Sequence, residues 1–365
     1  MKSLRGCLIA VALFAAAPLR AAEEPVLNVF NWSDYIATDV LEEFSAETGI
    51  KVVYDVYDSN EILEAKLLAG NSGYDVVFPT DRPFAARHLQ AKLYRALDKS
   101  KFTQYANLDA NIMKQLSGID PGNAHLVPYM WSSTGLGYNV AKVKAALGDT
   151  PMPMGWGLIF DPAVSSKLGA CGISVLDDST EGLAGALFYA GKNPDSSTSA
   201  DMGVAEKTFA AVRKNIRYFH SSQYINDLAN GDLCIAHGYS GDILQARDRA
   251  VEANNGNEIR YLVPAQGALL ANDVMAIPAD APHPDNAHRF IDFLMRPKVI
   301  ARITDEVVYP SANAAALEFV SAEVRDDPSV YPPAEVRAKL HSPAEQSGAQ
   351  QRTRSRVWTR IKAGR

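Results

Sequence analysis

Four short clusters in the sequence combine carboxylates with hydroxyls or aromatic rings. They are Trp32-Ser33-Asp34-Tyr35, Asp177-Asp178-Ser179-Thr180-Glu181, Gly238-Tyr239-Ser240-Gly241-Asp242, and Asp273 ahead of the apolar Val274-Met275-Ala276-Ile277. Each has an ordinary structural explanation. Aromatic residues near a strand end pack in a core, and an Asp there caps the next helix. Residues 238–242 read as a tight turn into a capped helix, and Ser179 or Thr180 can cap a helix whose dipole favours the neighbouring acids. Asp273 is different, because a carboxylate buried in an apolar stretch needs a partner. The chain has no arrangement of nucleophile and base to set beside these acids. His220-Ser221 with an Asp would be the nearest approach to a hydrolase triad. Adjacent residues rarely face each other productively, however, and no G-x-S-x-G elbow is present. The sequence therefore reads as a non-enzyme.

Carboxylates and ring faces without a nucleophile suit a cationic ligand. A buried ammonium loses several kcal/mol of hydration, which charged hydrogen bonds must replace. Each ring face adds roughly 0.5–2 kcal/mol. A slim dication with a methylene spine needs acids at both ends and flat apolar walls between them, which describes a polyamine site.

These clusters must be held by an alternation of strands and helices. Residues 26–30 and 51–57 are β-rich, 37–48 and 60–69 carry a helical pattern, and 74–78 is a short apolar strand. Further strands are expected at 135–138, 172–176, 234–237, 259–263 and 274–277. Helices are expected at 140–147, 183–189, 201–214, 240–253 and 286–295. Alternation of this kind predicts α/β layers in which ligands sit beyond the carboxyl ends of strands. The clusters at Trp32 and around Thr80 fall at such ends. No period of 20–50 residues repeats, and 365 residues exceed what one core holds, so two α/β lobes are expected. The basic stretch 352–365 contains six Lys or Arg residues and reads as a solvated helix packed through Val357, Trp358 and Ile361.

The compartment is read from the first 22 residues. Lys2 and Arg5 precede an apolar run from Cys7 to Ala17, and small residues precede Glu23. This is the pattern of a cleavable secretory signal peptide, and at 11 residues the run is too short to span a bilayer, which takes about 20. Loss of Lys2, Arg5 and Arg20 takes the net charge from -6 to -9. Such acidity argues against nucleic acid as a partner. Two cysteines remain, Cys171 and Cys234. In an oxidising compartment they read as one disulfide or as two buried thiols. Scattered histidines and the absence of a CxxC motif predict neither a metal nor a cofactor.

From Val26 onward the chain resembles the periplasmic polyamine-binding proteins of ABC transporters, with the putrescine-binding branch nearest. The resemblance rests on Asn31-Trp32-Ser33-Asp34-Tyr35, Leu97-Asp98-Lys99-Ser100-Lys101, Pro128-Tyr129-Met130-Trp131, the run from Tyr218 to Asp232, and Tyr331-Pro332-Pro333-Ala334-Glu335-Val336-Arg337. It implies a type II periplasmic binding protein fold, two α/β lobes that are each a mixed sheet flanked by helices and are joined by crossing hinge strands. The corresponding expectation is lobe I at 23–132 plus 256–305 and lobe II at 133–255 plus 306–365. The implied function is capture of a putrescine-like dication between the lobes and its delivery, by a periplasmic monomer, to a membrane permease. Spermidine, agmatine or another cation, and a sensing role at a membrane receptor, are the alternatives. Residue by residue, the resemblance makes Trp32, Tyr239 and Tyr309 ring walls. It makes Asp34, Glu181, Asp242 and Asp273 the amine ligands, Ser33 and Thr80 polar contacts, and Cys171 with Cys234 the disulfide.

Three departures bear on ligand identity. Ala271-Asn272 stands where the family often has consecutive aromatics, which widens one end. Tyr239 replaces a frequent Trp. The loop Pro79-Thr80-Asp81-Arg82-Pro83-Phe84 is one residue longer than usual and brings in Arg82, a cation that would repel an amine if it pointed inward.

Overall fold

The computed structural model describes residues 23–364, so the expected leader at 1–22 lies outside the described residues. The first strands are β1 (Val26–Trp32), β2 (Lys51–Tyr57) and β3 (Val76–Val77), followed by the long β4 (Leu126–Asn139). Then come β5 (Ile173–Val175), β6 (Ile216–Phe219), β7 (Ile235–Tyr239), β8 (Ile259–Leu262), β9 (Ala268–Ala276) and β10 (Leu340–His341). They pair in the order β2-β1-β3-β9-β4-β7-β5-β6, with β8 also on β4 and β10 on β9.

Within each end of this sheet the strands joined by helices are parallel: β1 with β2 and β3, and β5 with β6 and β7. The middle is antiparallel. The first half of β4 pairs with β9 from Leu126↔Ala276 to Ser133↔Leu270. Its second half pairs with β7 from Thr134↔Tyr239 to Tyr138↔Ile235. One strand thus belongs to both lobes, and β9 returns beside it, which is the expected crossing.

Each lobe is covered on both faces. In the first, helices Pro284–Leu294 and Pro297–Val307 bury Phe290, Ile291, Ile300 and Ile303 against β1 and β4, while helix Asn60–Leu68 buries Leu63 and Leu67 on the other face. In the second, helices Ser179–Tyr189, Ser199–Val212 and Gly348–Lys362 cover one face and Gln223–Asn230 with Ser240–Glu252 the other. Val357, Trp358 and Ile361 are buried, as the sequence reading expects of the last helix.

Pairing and core membership draw the lobes differently from the sequence expectation in two places. β8 pairs with Leu136–Asn139 of β4, so residues 259–262 lie with lobe II, beyond the expected boundary at 256. Val307, Tyr309, Ala316 and Val320 pack into the first lobe's core, so the chain does not pass to lobe II at 306. Neither boundary is marked by a local pattern, because both are set by tertiary partners: the far end of β4 for residues 259–262 and the first lobe's core for Val307 to Val320.

Cys171 and Cys234 form a disulfide with Cα atoms 5.5 Å apart, joining the segments that lead into β5 and β7. Among the described residues, no helix is long and apolar enough to cross a membrane.

Candidate ligand-binding cleft

The strand ends from the two lobes face each other across a narrow cleft. Lobe I contributes Trp32, Ser33 and Tyr35 after β1, Tyr57 at the end of β2, and Thr80 after β3; β9 contributes Ala271 and Asp273. From lobe II come Tyr239 at the end of β7 and Asp242 in the first turn of the following helix, and Tyr309 closes the floor. No Lys or Arg lines this space.

Two acids dominate it. Asp273 accepts from the Tyr35 hydroxyl at Oδ2 and from Thr80 Oγ1 at Oδ1, both at 2.7 Å. Asp242 accepts from the Tyr224 hydroxyl at Oδ2 and from the Tyr309 hydroxyl at Oδ1, both at 2.6 Å. Burial pushes the Asp273 carboxyl up to about 7, the two hydroxyls opposing it and the charges of Asp81 and Asp242 adding to it. Burial likewise pushes Asp242 up to about 6, again against its two hydroxyls. The four phenols and hydroxyls keep their protons, since burial raises Tyr35, Tyr224 and Tyr309 well above the ordinary tyrosine value. Each carboxylate is therefore held by neutral donors and lacks a cation in direct contact. An incoming ammonium can supply the missing charge.

Instead of the expected tight turn and side-chain cap, β7 runs straight into the helix Ser240–Glu252, and the close packing there explains two glycines. A Cβ on Gly238 would lie 2.4 Å from the Tyr224 ring, and one on Gly241 would lie 2.1 Å from the Tyr309 ring. Both positions are bare so that two tyrosines can reach Asp242. Tyr309 also accepts from the Asp242 backbone N–H at 3.2 Å.

Aromatic walls flank the acids. Trp32 and Tyr239 stand across the lobes with ring centroids 6.3 Å apart, and Trp32 Nε1 donates to the Phe78 carbonyl at 2.8 Å, which fixes the indole. Tyr57 packs on Trp32 at 4.7 Å and donates to the same carbonyl. Ser33 reaches the rim of the cleft and bonds the Tyr57 carbonyl through its backbone N–H at 3.0 Å.

Glu181 lies in a small adjoining recess that shares Thr80, Tyr239 and Ala271 with the main cleft. It is buried, and burial followed by the charge of Asp178 raises it well above the ordinary value. Asp178 rather than Ser179 or Thr180 caps this helix, accepting from Thr180 N and Glu181 N at 2.6 and 3.0 Å. Ala271 lines both spaces with a small side chain.

Asp34 departs from its expected place. Its φ of 54° lies in the left-handed region and turns the side chain outward, where it is exposed and its Oδ1 accepts from Arg249 Nη2 at 2.8 Å. Its neighbour Tyr35 faces the cleft instead. Arg82 does not stand free in the recess it borders: its guanidinium meets Asp81 at 3.3 Å and donates to the Gln115 carbonyl at 3.4 Å. His220 and Ser221 do not bond each other. His220 Nδ1 accepts from the backbone of Ser222 and Gln223, and Ser221 Oγ accepts from Asp177 N. In the sequence Tyr224 carries no signal beyond its place in the family-like run from Tyr218 to Asp232, and Tyr35 none beyond the cluster Trp32-Ser33-Asp34-Tyr35.

The chain is similar to known proteins over its whole length. The chain is 49% identical to the putrescine-binding periplasmic protein SpuD of Pseudomonas aeruginosa, with all of both chains covered. It is 48% identical to the putrescine-binding periplasmic protein PotF of Escherichia coli, covering all of this chain and 98% of that one. Among solved structures, a putative spermidine/putrescine ABC transporter protein from Listeria monocytogenes is 26% identical with a TM-score of 0.83, over 94% of this chain and 100% of that one. The fold is the type II periplasmic binding protein fold that the sequence resemblance implies. The profile for bacterial extracellular solute-binding proteins matches residues 39–332, and with full-length relatives at this identity the chain belongs to that family.

Proposed function

We propose that this protein is a periplasmic receptor that encloses a putrescine-like dication between its lobes and delivers it to the membrane permease of an ABC importer. The observation that carries the reading is the pair Asp242 and Asp273: two buried acids, each held by two hydroxyls, in a cleft without a basic side chain. Each would take one ammonium group, while Trp32, Tyr239 and Tyr309 wall the methylene spine and offer ring faces to the charged ends. Thr80 orients Asp273, Ser33 gives a polar contact at the rim, and Glu181 lies past Ala271 for a longer or bulkier cation. Asp34 acts at the rim through Arg249.

A binding role, as in the relatives named above, fits a site built from acids and phenols that hold their protons. Preferential binding to the closed form would draw the lobes together. The test is a thermal-shift panel of putrescine, cadaverine, spermidine, spermine, agmatine and basic amino acids, followed by calorimetry on the hits. A melting-temperature rise for putrescine with micromolar or tighter affinity is expected, and no response to any amine rejects the reading. Agmatine or spermidine binding more tightly than putrescine would assign the Glu181 recess to the ligand.

A further inference from the structure

Two departures from the polyamine-binding pattern, the longer loop after β3 and the polar residue ahead of Asp273, touch each other behind the cleft. Asn272 Nδ2 donates to Asp81 Oδ2 at 3.2 Å. Asp81 Oδ1 accepts from the Arg82 backbone N–H at 2.7 Å, and the Arg82 guanidinium lies 3.3 Å from Oδ2. Successive residues of a strand point to opposite faces, so Asn272 turns away from the cleft that Asp273 enters. On the cleft side Thr80 donates to Asp273, and Asn60 holds Thr80 from two directions, at its hydroxyl (3.0 Å) and its backbone N–H (3.1 Å). Adjacent loop residues thus grip adjacent residues of β9: Thr80 with Asp273 in front, Asp81 with Asn272 behind.

We propose that Asp81, Arg82 and Asn272 are positioning residues which, from behind β9, fix the place and the charge balance of Asp273, the ammonium-binding acid of the first lobe. The proposal rests on the reading of the cleft as a diamine site. Asp81 is buried, and a buried carboxylate persists only with donors on both oxygens, which Asn272 and Arg82 provide. Its negative charge works against ionisation of Asp273, and the Arg82 guanidinium offsets that charge at contact distance. The other groups that face Asp273 are the phenols of Tyr35, Tyr57, Tyr129 and Tyr239 and the acids Asp242 and Glu181. Of the three acids, Asp81 is the one in direct contact with a guanidinium.

The test follows the Asp273 carboxyl carbon by NMR through a pH titration of the ligand-free protein. Arg82→Gln is expected to raise the titration midpoint by about half a pH unit or more, because it leaves Asp81 unopposed. Asp81→Asn keeps the shape and, with its oxygen toward Asn272, that contact, while giving up the bond from the Arg82 backbone N–H; it is expected to lower the midpoint, and Arg82→Lys to keep it at its original value. The pH at which putrescine affinity is half lost should move with the midpoint in each variant. An unchanged midpoint in Arg82→Gln, or both substitutions moving it the same way, overturns the proposal, as does a fall in melting temperature with no shift in midpoint. Arg82 is partly exposed, so Arg82→Gln decides the matter even if Asp81→Asn does not fold. The titration needs no ligand. Midpoints that shift as stated in a protein that binds no amine would uphold this inference and reject the functional reading instead.

Discussion

The rings of Tyr35 and Tyr309 meet edge to face, 4.8 Å between centroids at 86°, and each phenol donates to a different acid, Tyr35 to Asp273 and Tyr309 to Asp242. Both tyrosines belong to the first lobe's core, whereas Asp242 rides on a helix of the second. Asp242 therefore takes one hydroxyl from each lobe, from Tyr224 on its own side and from Tyr309 across the cleft. One packed aromatic pair sets the distance between the two charged ends of the site.

Tyr309→Phe keeps the ring and removes the cross-lobe donor. Putrescine affinity at pH 7.5 is expected to fall by about tenfold, the worth of one hydrogen bond to a charged group. Calorimetry showing an unaltered affinity would leave Tyr309 as a wall alone.

Asp242→Asn removes a charge that no neighbouring acid can replace at that end. We expect binding to weaken at least about tenfold, or about 1.4 kcal/mol. If calorimetry finds the same affinity as for the unaltered protein, Asp242 is not in the site.

Binding depends on pH in a direction the two acids fix. An ammonium favours the ionised carboxylate, so affinity should fall as pH drops through about 7 for Asp273 and then about 6 for Asp242. Binding at pH 6.5 should release protons, seen as heats that vary with the ionisation enthalpy of the buffer. Identical heats in all buffers would contradict this. Stability of the ligand-free protein runs the other way. The folded state holds protons that the unfolded chain gives up near the ordinary value of 3.8, so the contribution of these acids is present at low pH and is lost as pH rises through 6 and 7. A melting temperature that rises between pH 5 and 7.5 in the absence of ligand would count against a dominant role for the pair.

Asp34 and Arg249 form an exposed ion pair between the lobes, and exposed pairs contribute roughly 0–1 kcal/mol. Asp34→Ala should change putrescine affinity less than about fivefold, chiefly by speeding release, as stopped-flow kinetics would show. A loss as large as that of Asp242→Asn would return Asp34 to the cleft.

Replacing Cys171 and Cys234 with Ser removes a link across 63 residues, worth roughly 4 kcal/mol in the chain-entropy picture. Thermal denaturation should show a marked drop in melting temperature, with putrescine affinity retained because neither cysteine lines the cleft.

Much of this molecule can be read from residue pattern. The β-rich runs at 26–30 and 51–57 and the helical patterns at 37–48 and 60–69 fall on the observed elements Val26–Trp32, Lys51–Tyr57, Thr38–Thr48 and Asn60–Leu68. The central strand is harder to see. Only its second half, 135–138, is expected from pattern, yet the strand runs from Leu126 to Asn139, with an irregularity in its pairing at Pro128. A Cβ on Gly135 would lie 2.5 Å from the Leu262 carbonyl, and one on Gly137 would lie 2.8 Å from Ile243, so tertiary neighbours demand those glycines. Asp273 is legible as a charge in an apolar stretch, and Asp242 as a carboxylate beside an aromatic after a short strand. Their phenol donors are not, because Tyr35, Tyr224 and Tyr309 come from three distant segments and no spacing announces that they converge. Nor does local pattern reveal that a left-handed backbone turns Asp34 away from the site.

The crossing of β4 and β9 also bears on how the polypeptide comes to be folded. The first lobe's core draws on Val29 near the start, Val127 in the middle and Val320 late in the chain. A chain delivered amino end first, from a ribosome or through a translocation pore, cannot complete that core until most of its length has emerged.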